Sequence, residues 1–224
     1  MLSDTEIQWI RQSTDYEPMP YGEYAGIPTV SLKLSGSESN SDQVTSVQSM
    51  FDRYQWSQKL RSGQARLRIY GDRPLSEYHN DSIVYLVDQL NPLYFDIEVE
   101  AEDISSSPSE ELYALADTFT LTFDFDKDED YDEDILSELS EHIRTVGDGQ
   151  FVIKSSKTSV EPEIKEFQNE YKIPDSKVWV YPKGRKMKTF ADTYQKMLPF
   201  CKRNGWGLSP RLNLINKYIE NQEE

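Results

Sequence analysis

Short apolar, β-branched runs alternate along the chain with segments in which apolar residues recur every three or four positions. The first pattern is typical of strands and the second of amphipathic helices. The apolar runs predict six strands, at residues 28–34, 66–70, 93–99, 118–123, 150–154 and 177–181. The helical spacing predicts five helices, at residues 46–60, 81–90, 134–146, 161–171 and 189–203.

The alternation of strands and helices predicts an α/β fold with a mainly parallel sheet and crossover helices. About six strands in a chain of 224 residues fit an incomplete (β/α) barrel better than a complete one, which usually needs about 250 residues. Two polar segments, 35–42 and 102–109, have the composition of loops. Both are too short to separate domains, so residues 1–224 are predicted to form a single domain.

The charge balance is strongly acidic, with 40 acidic and 24 basic residues and a formal net charge of −16. Such a surface repels a nucleic-acid backbone, because binding to phosphates needs clustered lysine and arginine. Direct binding to nucleic acid is therefore not expected. The charge has two interpretations that the sequence leaves open: a solvating surface, or a docking surface for a partner with a basic face.

The amino terminus does not have a basic start followed by an apolar core, and no stretch approaches the ~20 apolar residues of a membrane-spanning helix. A cytoplasmic location is expected. Cys201 is the single cysteine, which excludes an intrachain disulfide and a metal site built from several thiolates.

Three segments carry a resemblance to a known family. Residues 24–36 are YAGIPTVSLKLSG, residues 178–184 are VWVYPKG and residues 205–213 are GWGLSPRLN. In order and spacing they resemble the runs YAG-P-x-V-F-V-R-L-S-G, V-x-L-M-P-E-G and G-W-x-x-S-P-R-L-H of the 7-carboxy-7-deazaguanine synthases, which are radical S-adenosylmethionine enzymes. The resemblance covers about residues 20–216. It implies a radical-SAM-type barrel and a homodimer.

The family holds a [4Fe–4S] cluster with three thiolates in a C-x3-C-x2-C loop after the first of these strands. The resemblance places Ser37, Ser41 and Val44 at the three ligand positions. Iron–sulfur clusters of this type are held by cysteine thiolates, and these side chains offer none. The chain is therefore expected to bind no cluster and no S-adenosylmethionine, and to lack the family's lyase activity.

Other family positions are also altered. The turn that contacts the cofactor, G-G-E-P in the family, resembles Gly71, Asp72 and Pro74 with an arginine inserted before the proline. Lys33 replaces a family arginine that points into the substrate cavity, and Glu98 matches a family glutamate at a strand end. The resemblance makes Lys33 and Glu98 the candidates for a retained ligand pocket.

An acidic run covers residues 124–134. Alternating carboxylates suggest a calcium loop, but the run lacks the glycine at position 6 and the glutamate at position 12 that such a loop requires. No metal site is expected in the run, or at the two histidines, His79 and His142, which lack ligand spacing. The remaining interpretations are a solvated surface or a docking patch for a basic partner, formed by Asp124, Asp126, Asp128, Asp130, Asp132 and Asp134.

Two functional hypotheses follow. The first is a catalytically inactive synthase-like protein that binds a macromolecular partner in a regulatory or scaffold role. The alternative is a protein whose pocket still binds a 7-deazapurine or nucleotide, as a sensor or as a helper of an active synthase in queuosine-type nucleic-acid modification. An enzyme with new chemistry is less favoured, because the sequence lacks recognisable acid–base and nucleophile groupings.

Overall fold

The fold is built on one eight-stranded sheet, seen in a computed structural model of the chain. The strands lie side by side in the order in which they occur in the chain. β1 pairs antiparallel with β2, and each later strand pairs parallel with the one before it. The strands are β1 (Asp15–Pro18), β2 (Pro28–Leu34), β3 (Arg66–Gly71), β4 (Phe95–Glu100), β5 (Thr118–Asp124), β6 (Gln150–Ser155), β7 (Val178–Pro182) and β8 (Gly207–Leu208). The structure describes residues 15–19, 24–34, 51, 55–71, 77–101, 110–127, 133–145, 149–184, 186–210 and 215.

A helix follows each parallel strand from β2 to β7 and leads the chain to the next one, as a parallel pairing requires. The helices are α1 (Trp56–Arg61), α2 (Glu77–Leu90), α3 (Glu110–Leu115), α4 (Glu133–Thr145), α5 (Glu161–Tyr171) and α6 (Met187–Asn204), with a 3-10 turn at Asp175–Lys177. The predicted α/β class with a mainly parallel sheet is confirmed. None of these described helices is both long enough and apolar enough to cross a membrane.

The core lies on one face of the sheet, where alternate strand residues meet the apolar sides of the helices. In α4, Leu136, Leu139 and Ile143 are buried at helical spacing. In α5, Phe167 places its ring 4.5 Å from the ring of Phe123 on β5. Each fully buried side chain of this kind contributes about 1.5–3 kcal/mol to folding. The strands supply Val30, Leu32, Leu67, Ile69, Phe95, Ile97, Val99, Phe119, Leu121, Phe123, Phe151, Ile153, Val178 and Val180 to this core.

The main differences from the sequence predictions are three short elements, one helix and the start of one strand. β1, β8 and α3 were missed, so the described sheet has eight strands where six were predicted. The helix predicted over residues 46–60 is not continuous, because Gln55 has a left-handed φ of 59° and a new helix starts after it. The strand predicted from residue 93 starts at Phe95, since Leu93 and Tyr94 belong to an exposed loop.

Candidate functional site

The second face of the sheet is polar, and we call its side chains the polar sheet face. Buried parallel sheets are usually apolar on both faces, so this face is the feature that sets the fold apart. Strand alternation and register place Arg68 beside Asp96, and Glu98 beside Thr120. The buried members of this face are Thr29, Ser31, Arg66, Arg68, Asp96, Glu98, Thr118, Thr120, Thr122 and Gln150.

Arg66 and Asp96 form an ion pair near the amino-terminal ends of the strands. Arg66 Nε donates to Asp96 Oδ2 at 2.6 Å, and its Nη2 donates to Asp96 Oδ1 and, at 3.2 Å, to Thr118 Oγ1. The guanidinium carbon also lies 4.1 Å from the ring centre of Tyr24 and 5.0 Å from that of Tyr94. Burial raises the pKa of Asp96, and the hydrogen bonds and charge of Arg66 act against that rise. The pair fills this end of the polar sheet face.

Arg68 and Glu98 form a second pair one layer further along the strands. Arg68 Nε donates to Glu98 Oε2 at 2.8 Å, its Nη2 contacts the same oxygen, and its guanidinium lies 4.4 Å from the ring centre of Tyr70. Arg68 is 6% exposed and Glu98 is 5% exposed. Burial raises the pKa of Glu98 and lowers the pKa of Arg68, because both charged forms lose water. Contact with the opposite charge offsets this cost.

Two further pairs lie at the carboxyl-terminal ends of the strands, where they are partly open to solvent. Lys154 Nζ donates to Glu100 Oε1 at 2.9 Å. Lys183 Nζ lies 2.7 and 2.8 Å from the two carboxylate oxygens of Asp124 and 3.1 Å from Asp126 Oδ2. Lys183 thus joins the end of β5 to the end of β7.

Asp126 is held in place by several donors. Its carboxylate accepts hydrogen bonds from Ser155 Oγ at 3.0 Å and from the Ser156 backbone N–H at 2.9 Å, besides its contact with Lys183. Burial would raise the pKa of Asp126, but the hydrogen bonds from Ser156, Lys183 and Ser155 outweigh it and lower that pKa. Asp124 and Asp126, both predicted to dock a partner, are half-buried and bound within the chain.

The structure brings together the two predicted pocket positions. The backbone of Lys33 pairs with Tyr70, and the register of Ile69 with Ile97 places Glu98 in the same layer, two strands away from Lys33. Strands spaced about 4.8 Å apart put these two positions about 10 Å from each other. Arg68, not Lys33, makes the described contacts to Glu98. The side chain of Lys33 lies outside the described part of the chain.

The other predicted positions are spread more widely. Gly71 is the last residue of β3, and Asp134 is exposed in the first turn of α4. Cys201 is buried in α6, where burial raises the pKa of its thiol to about 12. The predicted cluster positions Ser37, Ser41 and Val44, the turn residues Asp72 and Pro74, and the aspartates Asp128, Asp130 and Asp132 lie outside the described residues.

The outer surface of α4 and α5 carries an excess of acidic side chains. The two helices pack side by side. The exposed basic residues of this surface are Lys165 in α5 and Lys172, the residue that caps the carboxyl terminus of α5. We call the exposed acids the acidic helical surface: Glu133, Asp134, Glu138, Glu141, Glu163, Glu166 and Glu170.

Sequence reasoning missed both main features of this arrangement. The buried ion pairs had a visible signal, since polar and apolar residues alternate over 66–69 in β3 and over the whole of β4. The acids of α5 also had a visible signal, because Glu163, Glu166 and Glu170 recur at helical spacing on the side opposite the buried Ile164. No local pattern indicates which side chains form pairs, since the partners lie 30 residues apart in the chain.

Comparisons with known proteins give no relative for this chain. No protein-family model, curated protein or solved structure matches it. The family resemblance therefore depends on the three sequence segments alone.

Proposed function

We propose that the chain is a catalytically inactive protein on the scaffold of a 7-carboxy-7-deazaguanine synthase, and that it binds a macromolecular partner with a basic surface in a regulatory or scaffold role. In this proposal the seven parallel strands curve into an incomplete radical-SAM-type barrel, and the polar sheet face lines its interior. The sequential strand order supports this, because it is the order found in (β/α) barrels.

One observation carries the proposal: in the described part of the chain, the buried charges of the polar sheet face are paired with one another, whereas acids outnumber bases on the outer surface of α4 and α5. On the polar sheet face each buried carboxylate contacts a buried guanidinium, as in Arg66–Asp96 and Arg68–Glu98. A ligand that used Glu98 would have to break a buried ion pair. On the acidic helical surface seven exposed acids outnumber the two exposed lysines and Arg144, which pairs with Glu141 at 3.7 Å, so a basic partner would relieve the repulsion among the acids.

The lack of thiolates supports the absence of catalysis. Three cluster ligands need three cysteines, and the chain has one. That thiol is buried in α6 and its raised pKa keeps it protonated at neutral pH. The residues present do not fit a [4Fe–4S] cluster, so no reaction step is derived through one.

Cross-linking in the source cells tests the location of the partner site. Lys165 and Lys172 flank the acidic helical surface and are exposed, so an amine-reactive reagent should join them to lysines of a bound basic partner. Lys196 and Lys202 on α6 are also exposed and serve as controls. Partner peptides enriched on Lys165 or Lys172 support the proposal. Partner peptides confined to the α6 lysines contradict it.

A retained pocket is the second proposal. It is supported by the shared sheet face of position 33 and Glu98. The Lys154–Glu100 pair at the carboxyl-terminal edge also supports it, because the two side chains are 18% and 41% exposed. Ligands of parallel α/β folds bind at this edge. In this case the chain binds a 7-deazapurine or nucleotide as a sensor or as a helper of an active synthase.

A further inference from the structure

The outward side of α6 is basic, although the chain as a whole carries a net charge of −16. The exposed charged residues of this helix are Lys188, Asp192, Lys196, Lys202 and Arg203, and Asp192 is the single acid among them. At 3.6 residues per turn these positions share about a third of the helix circumference. We call Lys188, Lys196 and Lys202 the α6 basic face.

The lysines of the α6 basic face are unpaired within the described part of the chain, where their side chains make no ion pair and no hydrogen bond. Several other exposed bases are bound. Arg203 and Lys165 contact Glu161 at 2.6 and 3.3 Å, and Lys157 Nζ donates to the Phe125 carbonyl at 3.1 Å. In spite of its excess of acids, the chain therefore presents positive charge on α6 that an acidic ligand can match.

An exposed apolar side chain adjoins these lysines. Leu198 is 45% exposed and lies four residues before Lys202, so the two side chains are neighbours on the helix surface. Pro199, the next residue, is also exposed. Burial against another apolar side chain stabilises a leucine, whereas a sugar–phosphate backbone offers it little apolar surface. The combination of lysines and leucine therefore favours a protein ligand over a nucleic acid.

The acids of α5 limit the size of an acidic ligand. The two helices meet at Glu161, which contacts Arg203 and accepts from Asn204 Nδ2 at 2.7 Å. Helices in contact lie about 8–10 Å apart, close to the screening length of about 10 Å at 0.1 M salt. A DNA duplex or an anionic membrane that covered α6 would come near the exposed Glu166 and Glu170 of α5 and would be repelled. A short acidic segment avoids this repulsion.

We propose that the α6 basic face is a docking surface for a short acidic segment of another protein, with an apolar residue of that segment packed on Leu198. The helix is about 21 Å long from Lys188 to Lys202, a distance that about six or seven extended residues span. The proposal does not rest on the basic partner proposed above, because that partner contacts α4 and α5 whereas the acidic segment contacts α6.

Fluorescence anisotropy of the full chain with a labelled heptapeptide, made of glutamates around a central leucine, tests the proposal. We expect binding at about 0.05 M NaCl that weakens at least tenfold by about 0.3 M, because the charges are exposed and therefore screened. At the lower salt, Lys188→Gln/Lys196→Gln/Lys202→Gln should weaken binding at least tenfold through the loss of three charge pairs. The matched control removes three exposed lysines outside α6 and should stay within about twofold of the parent: Lys127→Gln/Lys157→Gln/Lys172→Gln.

Further probes separate a protein segment from an extended polyanion. Leu198→Ala should weaken binding of the heptapeptide about threefold, because it removes the apolar contact. A DNA duplex of about one helical turn and vesicles that contain phosphatidylserine should both bind the parent less tightly than the heptapeptide does.

Four results overturn the proposal. The heptapeptide fails to bind at the lower salt, or the α6 triple variant weakens its binding no more than the control triple variant. Leu198→Ala binds the heptapeptide as tightly as the parent. The duplex or the vesicles bind more tightly than the heptapeptide, which would assign the α6 basic face to an extended polyanion. Circular dichroism of each variant, folded like the parent, establishes that the comparison concerns binding.

Discussion

Replacement of the Arg68–Glu98 pair tests how the polar sheet face is stabilised. Glu98→Leu leaves the Arg68 guanidinium buried without the carboxylate of Glu98. Arg68→Met leaves the Glu98 carboxylate buried without the guanidinium of Arg68. The two side chains are 6% and 5% exposed, so water cannot replace the lost partner. Each single substitution should lower the free energy of unfolding by about 3–5 kcal/mol.

The double variant Arg68→Met/Glu98→Leu provides the decisive comparison. Apolar residues of similar volume often replace a buried ion pair at little cost, so we expect the double variant to lie within about 2 kcal/mol of the parent. Glu100→Leu is the control, because the Glu100 side chain is 41% exposed and its pair with Lys154 should contribute at most about 1 kcal/mol.

Urea unfolding followed by tryptophan fluorescence measures these differences, with the four tryptophans of the chain as probes. The variants are compared by their free energies of unfolding and not by their melting temperatures, because the double-mutant cycle is defined in free energies. A double variant whose loss equals the sum of the single losses would refute a coupled buried pair. So would a single variant that costs no more than Glu100→Leu.

Three further predictions test other parts of the account. Anaerobic reconstitution with iron and sulfide should leave the protein colourless; a stable [4Fe–4S] absorption band would contradict this. The ring centre of His142 lies 3.8 Å from that of Tyr113, and burial lowers the pKa of His142 below its usual value of 6.5. The neutral imidazole should therefore stabilise the folded protein fully above about pH 6.5, and this stabilisation should be lost as the pH falls below that value. His142→Phe should therefore flatten the pH dependence of urea unfolding between about pH 7 and 5; an unchanged profile would refute this role. A thermal-shift screen of 7-deazapurines and nucleotides should show no stabilisation, whereas a pocket filled at 100 times its dissociation constant would add about 2.7 kcal/mol, and a shift abolished by Lys33→Ala would favour the retained pocket.

Most of the fold could be predicted because its signals are local. β2 (Pro28–Leu34) and α5 (Glu161–Tyr171) have the predicted bounds, since an apolar run and a helical period are each complete within a short window. β8 has two residues and is defined by its register with β7. So short an element has no pattern of its own, and only the pairing of distant segments forms it.

The candidate site was less predictable because it depends on long-range contacts. Alternation in the strand sequences shows that Arg66, Arg68 and Asp96 share a face, but not which charges meet. The acidic run was predicted as one feature, yet Asp124 and Asp126 bind Lys183 from a segment almost 60 residues later, while Asp134 lies on the exposed side of α4. Leu93 and Tyr94 extended a predicted strand because hydrophobicity does not show whether a residue is buried.

The association rate with the cross-linked partner, measured at low and high salt, tests the central claim most directly. The parent is compared with Glu166→Gln/Glu170→Gln on the acidic helical surface, and with Asp88→Asn/Asp192→Asn, which removes the same charge from exposed positions on α2 and α6. The account predicts that salt and the α5 variant both slow association, with the control close to the parent, because exposed charges steer encounter and are screened beyond about 10 Å at 0.1 M salt. A rate that is independent of salt and equal for all three proteins would contradict it.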